Sequence, residues 1–152
     1  MTDERILIIT EGLKSLNNSA VDMISKGDYD SAAHLFETAE KTSDLFGYSE
    51  GVGMANLSLA NLFVLKKDVL GALAYAVKAA DILPPGEDKN TAKDMSRKLA
   101  ISAVRLGIEK EDSGDFESAL KAFEAAYPHV GDRAPMIADE ISFIKSHLSK
   151  SE

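Results

Sequence analysis

One short pattern occurs three times in this chain of 152 residues, and it limits the fold more than any other feature. The segments read "GDYDSAAHLFETAE" from Gly27, "KDVLGALAYAVKAA" from Lys67 and "GDFESALKAFEAAY" from Gly114. Each has a residue at a turn, then an aspartate, an apolar residue, and two alanines seven positions apart. The aspartates are Asp28, Asp68 and Asp115, and the alanine pairs are Ala32 with Ala39, Ala72 with Ala79, and Ala119 with Ala126.

This spacing predicts a pair of antiparallel helices around each pattern. An aspartate that precedes a helix caps it by accepting a hydrogen bond from a free backbone N–H. Alanines seven residues apart lie on one helix face, where the short side chain lets a neighbouring helix approach closely. Small residues also precede each turn, at Ala20, Ala60 and Gly107. Each unit is therefore expected to be a helix, a tight turn and a second helix, and successive hairpins are expected to stack.

In these small positions the chain resembles the tetratricopeptide repeat family. Pro84 adds to the resemblance, because it lies where that family often ends its second helix. The resemblance implies a superhelix of stacked hairpins, with three units over about residues 11–46, 49–83 and 91–127 and a capping helix over about 133–149. The turns are 40 and 47 residues apart, whereas the family period is about 34. Longer helices and a loop around "LPPGEDKN" are expected to account for the difference.

The chain is predicted to be all-α, with one domain over residues 1–152, because strictly alternating β-branched runs are missing. Thr91 and Asp94 indicate a capping box at the start of the fifth helix. Lys67 replaces a turn glycine, which predicts a different shape for the middle turn.

A helical bundle without repeat symmetry is the alternative, since helix pairing alone produces alanine stripes. Seven helices are expected, over about residues 3–26, 28–46, 49–66, 68–83, 91–112, 115–127 and 133–149.

The expected binding surface is the inner side of the superhelix, which in this family is lined by the first helix of each unit. The middle helix, "GMANLSLANLFVL", is apolar on nearly every side, so its second apolar stripe needs a cover. That cover is a neighbouring part of the chain, a second copy or a ligand peptide. The residues placed in this groove are Asn17, Val21, Ile24, Met54, Leu57, Asn61, Leu65, Ile101, Val104, Arg105 and Ile108.

The function expected from this surface is non-catalytic binding of a peptide or partner helix. Some members of the family hold acidic C-termini in a clamp of lysine, asparagine and arginine. Only Arg105 matches that pattern, so carboxylate-clamp binding is not expected. The alternative is a structural subunit or homodimer whose apolar surface is closed by another folded chain. A small-molecule sensor with a pocket near Leu57 and Asn61 is a third hypothesis.

Composition excludes several other classes of function. Catalytic residues, cofactors and metal sites are not expected, because His34, His129 and His147 lack metal-ligand spacing and serines such as Ser19 and Ser58 fall inside helices with no histidine nearby in sequence. The net charge of −8 argues against nucleic-acid binding. The absence of cysteine fits a reducing compartment, and neither a signal peptide nor a membrane span is expected, which predicts a cytoplasmic location.

Overall fold

The computed structural model describes residues 3–150, which form seven α-helices and two short 3-10 turns. No strand occurs in this range, so the predicted all-α helical-hairpin fold is confirmed. The helices are α1 (Asp3–Ser25), α2 (Tyr29–Leu45), α3 (Ser49–Leu65), α4 (Val69–Ile82), α5 (Glu87–Asp112), α6 (Phe116–Ala126) and α7 (Ala134–Lys150).

Six of the seven helices agree with the sequence-based bounds to within one residue at each end, and α5 is the exception. It begins at Glu87, so Thr91 lies inside the helix and the predicted capping box is wrong. The helical structure is interrupted at Pro84, Pro85 and Gly86. Glu87 and Asp88 then place negative charge in the first turn of α5. Acidic side chains there interact favourably with the helix dipole. The start of α5 therefore has acidic residues in its first turn rather than a threonine cap.

Lys89 closes the loop between α4 and α5. Its ammonium group donates to the carbonyl oxygens of Ala80 at 2.6 Å and Leu83 at 2.9 Å. These acceptors belong to the end of α4, where carbonyls lack partners within the helix. The lysine therefore satisfies the last turn of one helix from the first turn of the next.

Four helix ends share the same left-handed turn. At the end of α1, Gly27 N–H donates to Ile24 C=O and Asp28 N–H donates to Met23 C=O, both at 2.9 Å. This pair of hydrogen bonds is the Schellman motif, and it recurs at Gly47, Lys67 and Gly114. Lys67 has a φ of 61°, close to the values of the turn glycines, so the prediction of a different shape for this turn is wrong. The hydrogen bonds hold the lysine in a conformation that a glycine adopts at lower cost.

Three of these turns lead directly into an aspartate cap, as the sequence predicted. The side chains of Asp28, Asp68 and Asp115 accept hydrogen bonds from backbone N–H groups three residues later, at 3.0 to 3.2 Å. Each aspartate thus ends the Schellman motif of one helix and caps the next. The turn is three residues long, which leaves room only for an antiparallel neighbour.

The small residues of the repeat are buried where helices approach one another. All eight alanines of the pattern are buried, and a Cβ added at Gly107 would meet the Phe123 ring. In the N-terminal part, Phe36 and Leu59 lie at the centre of a core that includes Ala20 and Ala32. In the C-terminal part, the predicted α7 stripe packs on α6 through Ile137 and Ile144, around Phe123.

Two compact units divide the chain between Lys93 and Asp94. The boundary lies inside α5, close to the position where the third repeat was predicted to start. The first unit contains α1 to α4 and the start of α5, and the second contains the rest of α5, α6 and α7.

Substitution at Lys67 tests the shared turn geometry. A non-glycine residue in the left-handed region costs roughly 1 kcal/mol, so Lys67→Gly is expected to stabilise the protein by about that amount. The reverse exchange, Gly27→Lys, is expected to destabilise it by a similar amount. Urea unfolding measures both. A loss of stability in Lys67→Gly would contradict the assigned turn.

Glu111, at the end of α5, lies beside Glu140 of α7 within the second unit. Burial raises its pKa above the ordinary value of 4.5, and the hydrogen bond and charge of Glu140, with the charge of Asp112, raise it further. One oxygen, Oε2, is buried without a hydrogen-bond partner among the described residues. The ionised carboxylate is therefore held less favourably in the fold than in the unfolded chain.

The pH dependence of stability follows from this raised pKa. The protonated form is favoured by the fold, so its contribution is present below pH 4.5 and is lost as the pH rises through the raised value. Glu111→Gln is expected to increase the melting temperature at pH 7 and to have little effect near pH 4. Glu109→Gln, on the exposed side of α5, is the control and is expected to change neither. Equal effects of Glu111→Gln at the two pH values would contradict this assignment.

Candidate binding groove on the first unit

A groove of about 390 Å³ opens between α1 and α3 in the first unit. Phe36 and Ala39 of α2 form its floor, because α2 packs against both outer helices. The walls are formed by Thr10, Leu13, Lys14 and Asn17 of α1 and by Tyr48, Gly51, Met54, Ala55 and Ser58 at α3. We call this cavity the α1–α3 groove.

The tight turns explain why two helices face each other across this groove. The left-handed residues Gly27, Gly47 and Lys67 are 20 residues apart, and each reverses the chain. After two reversals α3 runs in the same direction as α1, with α2 between them. The pattern therefore repeats after 40 residues, and positions 14 and 54 are equivalent in it. Both line the groove, as Lys14 and Met54.

Several predicted residues lie on the faces that form the groove. Asn17 and Met54 line it. Asn61 and Leu65 continue the Met54 face, because residues 54, 58, 61 and 65 follow the helical spacing of four and three. Met54 and Leu65 are 37% and 51% exposed, and Val21 is also exposed on α1. The sequence thus identified a face of α3 that no other part of the described chain covers fully.

Other predicted residues do not line the α1–α3 groove. Leu57 is only 7% exposed, so it belongs to the core of the first unit, and Ile24 is half-buried there against the core around Ala20. The remaining four residues belong to the second unit. Of these, Val104 packs against the core around Phe123, and the others are exposed, namely Ile101, Arg105 and Ile108.

The groove residues missed by the sequence analysis are Thr10, Leu13 and Lys14 on α1, Phe36 and Ala39 on α2, and Tyr48, Gly51, Ala55 and Ser58 at α3. The inner face of α1 was read only from Asn17 onward, although the first repeat unit was assigned a start at about residue 11. A signal was available in the helix itself, because steps of three and four residues back from Asn17 lead to Lys14, Leu13 and Thr10.

Electrostatics distinguish this groove from the rest of an acidic chain. Among the described residues, Lys14 is the only charged one in the lining, although the whole chain has a net charge of −8. Burial, followed by the negative charge of Glu50, raises the pKa of Tyr48. The tyrosine therefore stays neutral at physiological pH and can donate a hydrogen bond. The groove combines an apolar floor with one positive charge and a few neutral polar groups at its rim.

A second, smaller groove of about 310 Å³ lies between α6 and α7 in the second unit. It is lined by Tyr127 and Ile141 and is flanked by Glu124 and Lys145, whose charged groups are 3.6 Å apart. This ion pair neutralises the rim of the groove. The positive charge of Lys14 therefore distinguishes the α1–α3 groove from this second groove.

Within residues 3–150, no group of three or more histidine and acidic side chains is placed to hold a metal ion. None of the helices in that range combines the length and apolar character needed to cross a membrane. Comparison with protein families and with curated proteins finds no match for this chain.

Gly51 tests the close approach of α2 and α3 beside the groove. A Cβ at this position would overlap the side chains of Ser43 and Tyr48, so Gly51→Ala is expected to destabilise the protein by about 1–3 kcal/mol. Gly12 is the matched control, because it lies inside α1 with open space around it. Gly12→Ala is expected to stabilise the helix by about 1 kcal/mol. Thermal unfolding measures both, and a tolerated Gly51→Ala would contradict the close packing.

Proposed function

We propose that this protein is a non-catalytic interaction module that binds a peptide or partner helix in the α1–α3 groove. The observation that carries the proposal is the apolar-floored cavity between two helices that run in the same direction. The exposed side chains of Met54 and Leu65 extend its apolar wall along α3. Apolar side chains that remain exposed beside a cavity are typical of a binding surface.

The shape of the groove favours a helical ligand. Its two walls are α-helices, and an amphipathic helix can place apolar side chains into such a groove at positions i, i+3 and i+7. Phe36 and Ala39 would contact the apolar side of the ligand, while Lys14, Asn17 and Ser58 would contact polar groups at its edges. An acidic side chain in the ligand would pair with Lys14. We therefore infer a ligand helix with a large apolar side chain next to a carboxylate.

The repeat pattern supports a tetratricopeptide-like architecture as part of this proposal. The shared Schellman turns, aspartate caps and buried alanines are the features that support it. The 40-residue period in the first unit is longer than that of the family, about 34 residues. A cytoplasmic location and the lack of nucleic-acid binding belong to the same proposal, supported by the absence of cysteine and by the net charge of −8.

A display experiment with defined peptides tests the proposed function. The full chain would be used to select from a phage library of amphipathic helical peptides, and affinities of selected peptides would be measured by calorimetry. Met54→Asp is expected to weaken binding at least about tenfold, because it places a charge on the apolar wall. Val64→Asp is the control, since Val64 is 47% exposed on another face of α3.

Two outcomes would contradict the proposal. The first is that no peptide shows saturable binding to the folded chain. The second is that selected peptides bind Met54→Asp as well as they bind the unmodified protein, while Val64→Asp weakens their binding. In that case the binding surface would lie on the face of α3 around Val64 rather than on the face around Met54. Circular dichroism would establish that both variants remain helical.

A further inference from the structure

The start of α1 extends beyond the helix that it packs against. α1 has 23 residues and α2 has 17, and a three-residue turn joins them. The first six residues of α1 therefore have no equivalent length of α2 beside them, and Ile9 is the first buried residue of the helix. In this extension Leu7 and Ile8 are 60% and 64% exposed, and Ile6 is exposed as well. Three successive apolar residues in water favour an additional contact.

Leu7 continues the wall of the α1–α3 groove, whereas Ile8 does not. Residues 3, 7, 10 and 14 follow steps of four, three and four, so Asp3 and Leu7 share a helix face with the groove residues Thr10 and Lys14. Each residue is rotated by about 100° from the one before it, which places Ile8 on a different face. The extension thus presents an apolar residue and an acidic residue in line with a groove in which Lys14, the one charged lining residue that the structure describes, is basic.

This order of residues is complementary to itself. If α1 of one copy packs antiparallel to α1 of another, the steps of four, three and four coincide in reverse order. Asp3 then lies opposite Lys14 of the other copy, and Leu7 lies opposite Thr10. Because the pairing is two-fold symmetric, both contacts form twice. Opposite charges meet and the two leucines flank the symmetry axis.

We propose that a second copy of this chain docks along this face of α1, with Leu7 at the mouth of the α1–α3 groove and Asp3 paired with Lys14. The inference rests on the proposed binding groove and adds that self-association regulates ligand binding there. Self-association covers the groove at Thr10 and Lys14, so a ligand peptide and a second copy compete for it. The contact involves a short stretch of helix, so the dimer is expected to be weak.

Sedimentation equilibrium of the full chain over a wide concentration range tests the contact. The unmodified protein is expected to change from monomer to dimer with rising concentration. Leu7→Asp is expected to raise the dissociation constant at least about tenfold. Ile8→Asp is the matched control, because Ile8 is equally apolar and equally exposed on the same helix, and it is expected to leave the dimer intact. Both positions are exposed, so both variants are expected to keep the fold, which thermal unfolding would verify.

Charge reversal tests the register of the two helices. Asp3→Lys and Lys14→Asp are each expected to weaken the dimer several-fold, and the two together are expected to restore it, since the opposite charges again meet. Glu4→Lys is the control for Asp3→Lys, because it changes the same charge in the first turn of α1 but lies on another face. It is expected to leave the dissociation constant unchanged.

Several results would overturn the inference. A monomer at all concentrations would exclude the dimer, and loss of the dimer in Ile8→Asp but not in Leu7→Asp would place it on another face. Failure of the double charge reversal to restore association would exclude the proposed register. These outcomes are separate from the peptide experiment. Peptides that bind a strictly monomeric protein through Met54 would overturn the dimer alone, whereas a dimer of the expected register that binds no peptide would overturn the proposed function alone.

Discussion

The structure of the first unit depends on one local device, in which a left-handed residue closes one helix and the next residue begins another. Two backbone hydrogen bonds fix the turn, and at Asp28 and Asp68 the side chain then caps the following helix. This combination satisfies backbone groups at both helix ends within three residues. Each helix must therefore return beside the one before it. The arrangement of α1, α2 and α3 follows from this constraint and from the small residues that let the helices approach.

The groove is a consequence of the same constraint. An even number of reversals makes α1 and α3 run in the same direction, and α2 holds them apart while forming the floor. The alanines and glycines that bring neighbouring helices together also remove side chains from the space between α1 and α3, as at Ala39, Gly51 and Ala55. Close packing of adjacent helices and an open cavity between alternate ones therefore have one origin. The functional proposal depends on this relation rather than on any catalytic group.

Helix boundaries were largely predictable because their causes are local. Aspartate caps and turn residues are visible in the sequence, and the structure bears them out at Asp28, Asp68 and Asp115. The prediction at Thr91 was wrong because a residue that favours helix caps can also lie inside a helix, and α5 has already begun at Glu87. At Lys67 the hydrogen-bond pattern outweighed the residue preference, since the left-handed conformation is disfavoured for lysine but not forbidden.

The site was less predictable because exposure depends on which helices cover one another. Met54 and Leu57 look equally apolar in the sequence, but only Met54 reaches the groove, and Leu57 is part of the core. Tyr48 was missed because its place in the groove depends on the position of α1 relative to α3, whereas the helical spacing back from Asn17 already pointed to Lys14. Periodicity identifies the faces of a helix, whereas the contacts between helices decide which face stays open.

α1 and α3 lie on either side of an open groove, and a distance measurement in solution tests this arrangement directly. Because the sequence contains no cysteine, Lys14→Cys provides a single attachment point for a nitroxide label. We expect strong paramagnetic broadening of the NMR signals from the Met54 methyl group and the Ser58 amide, including in Leu7→Asp at low concentration, where the effect must arise within one chain. Sharp, unaffected signals from Met54 and Ser58 in the folded, labelled protein would contradict it.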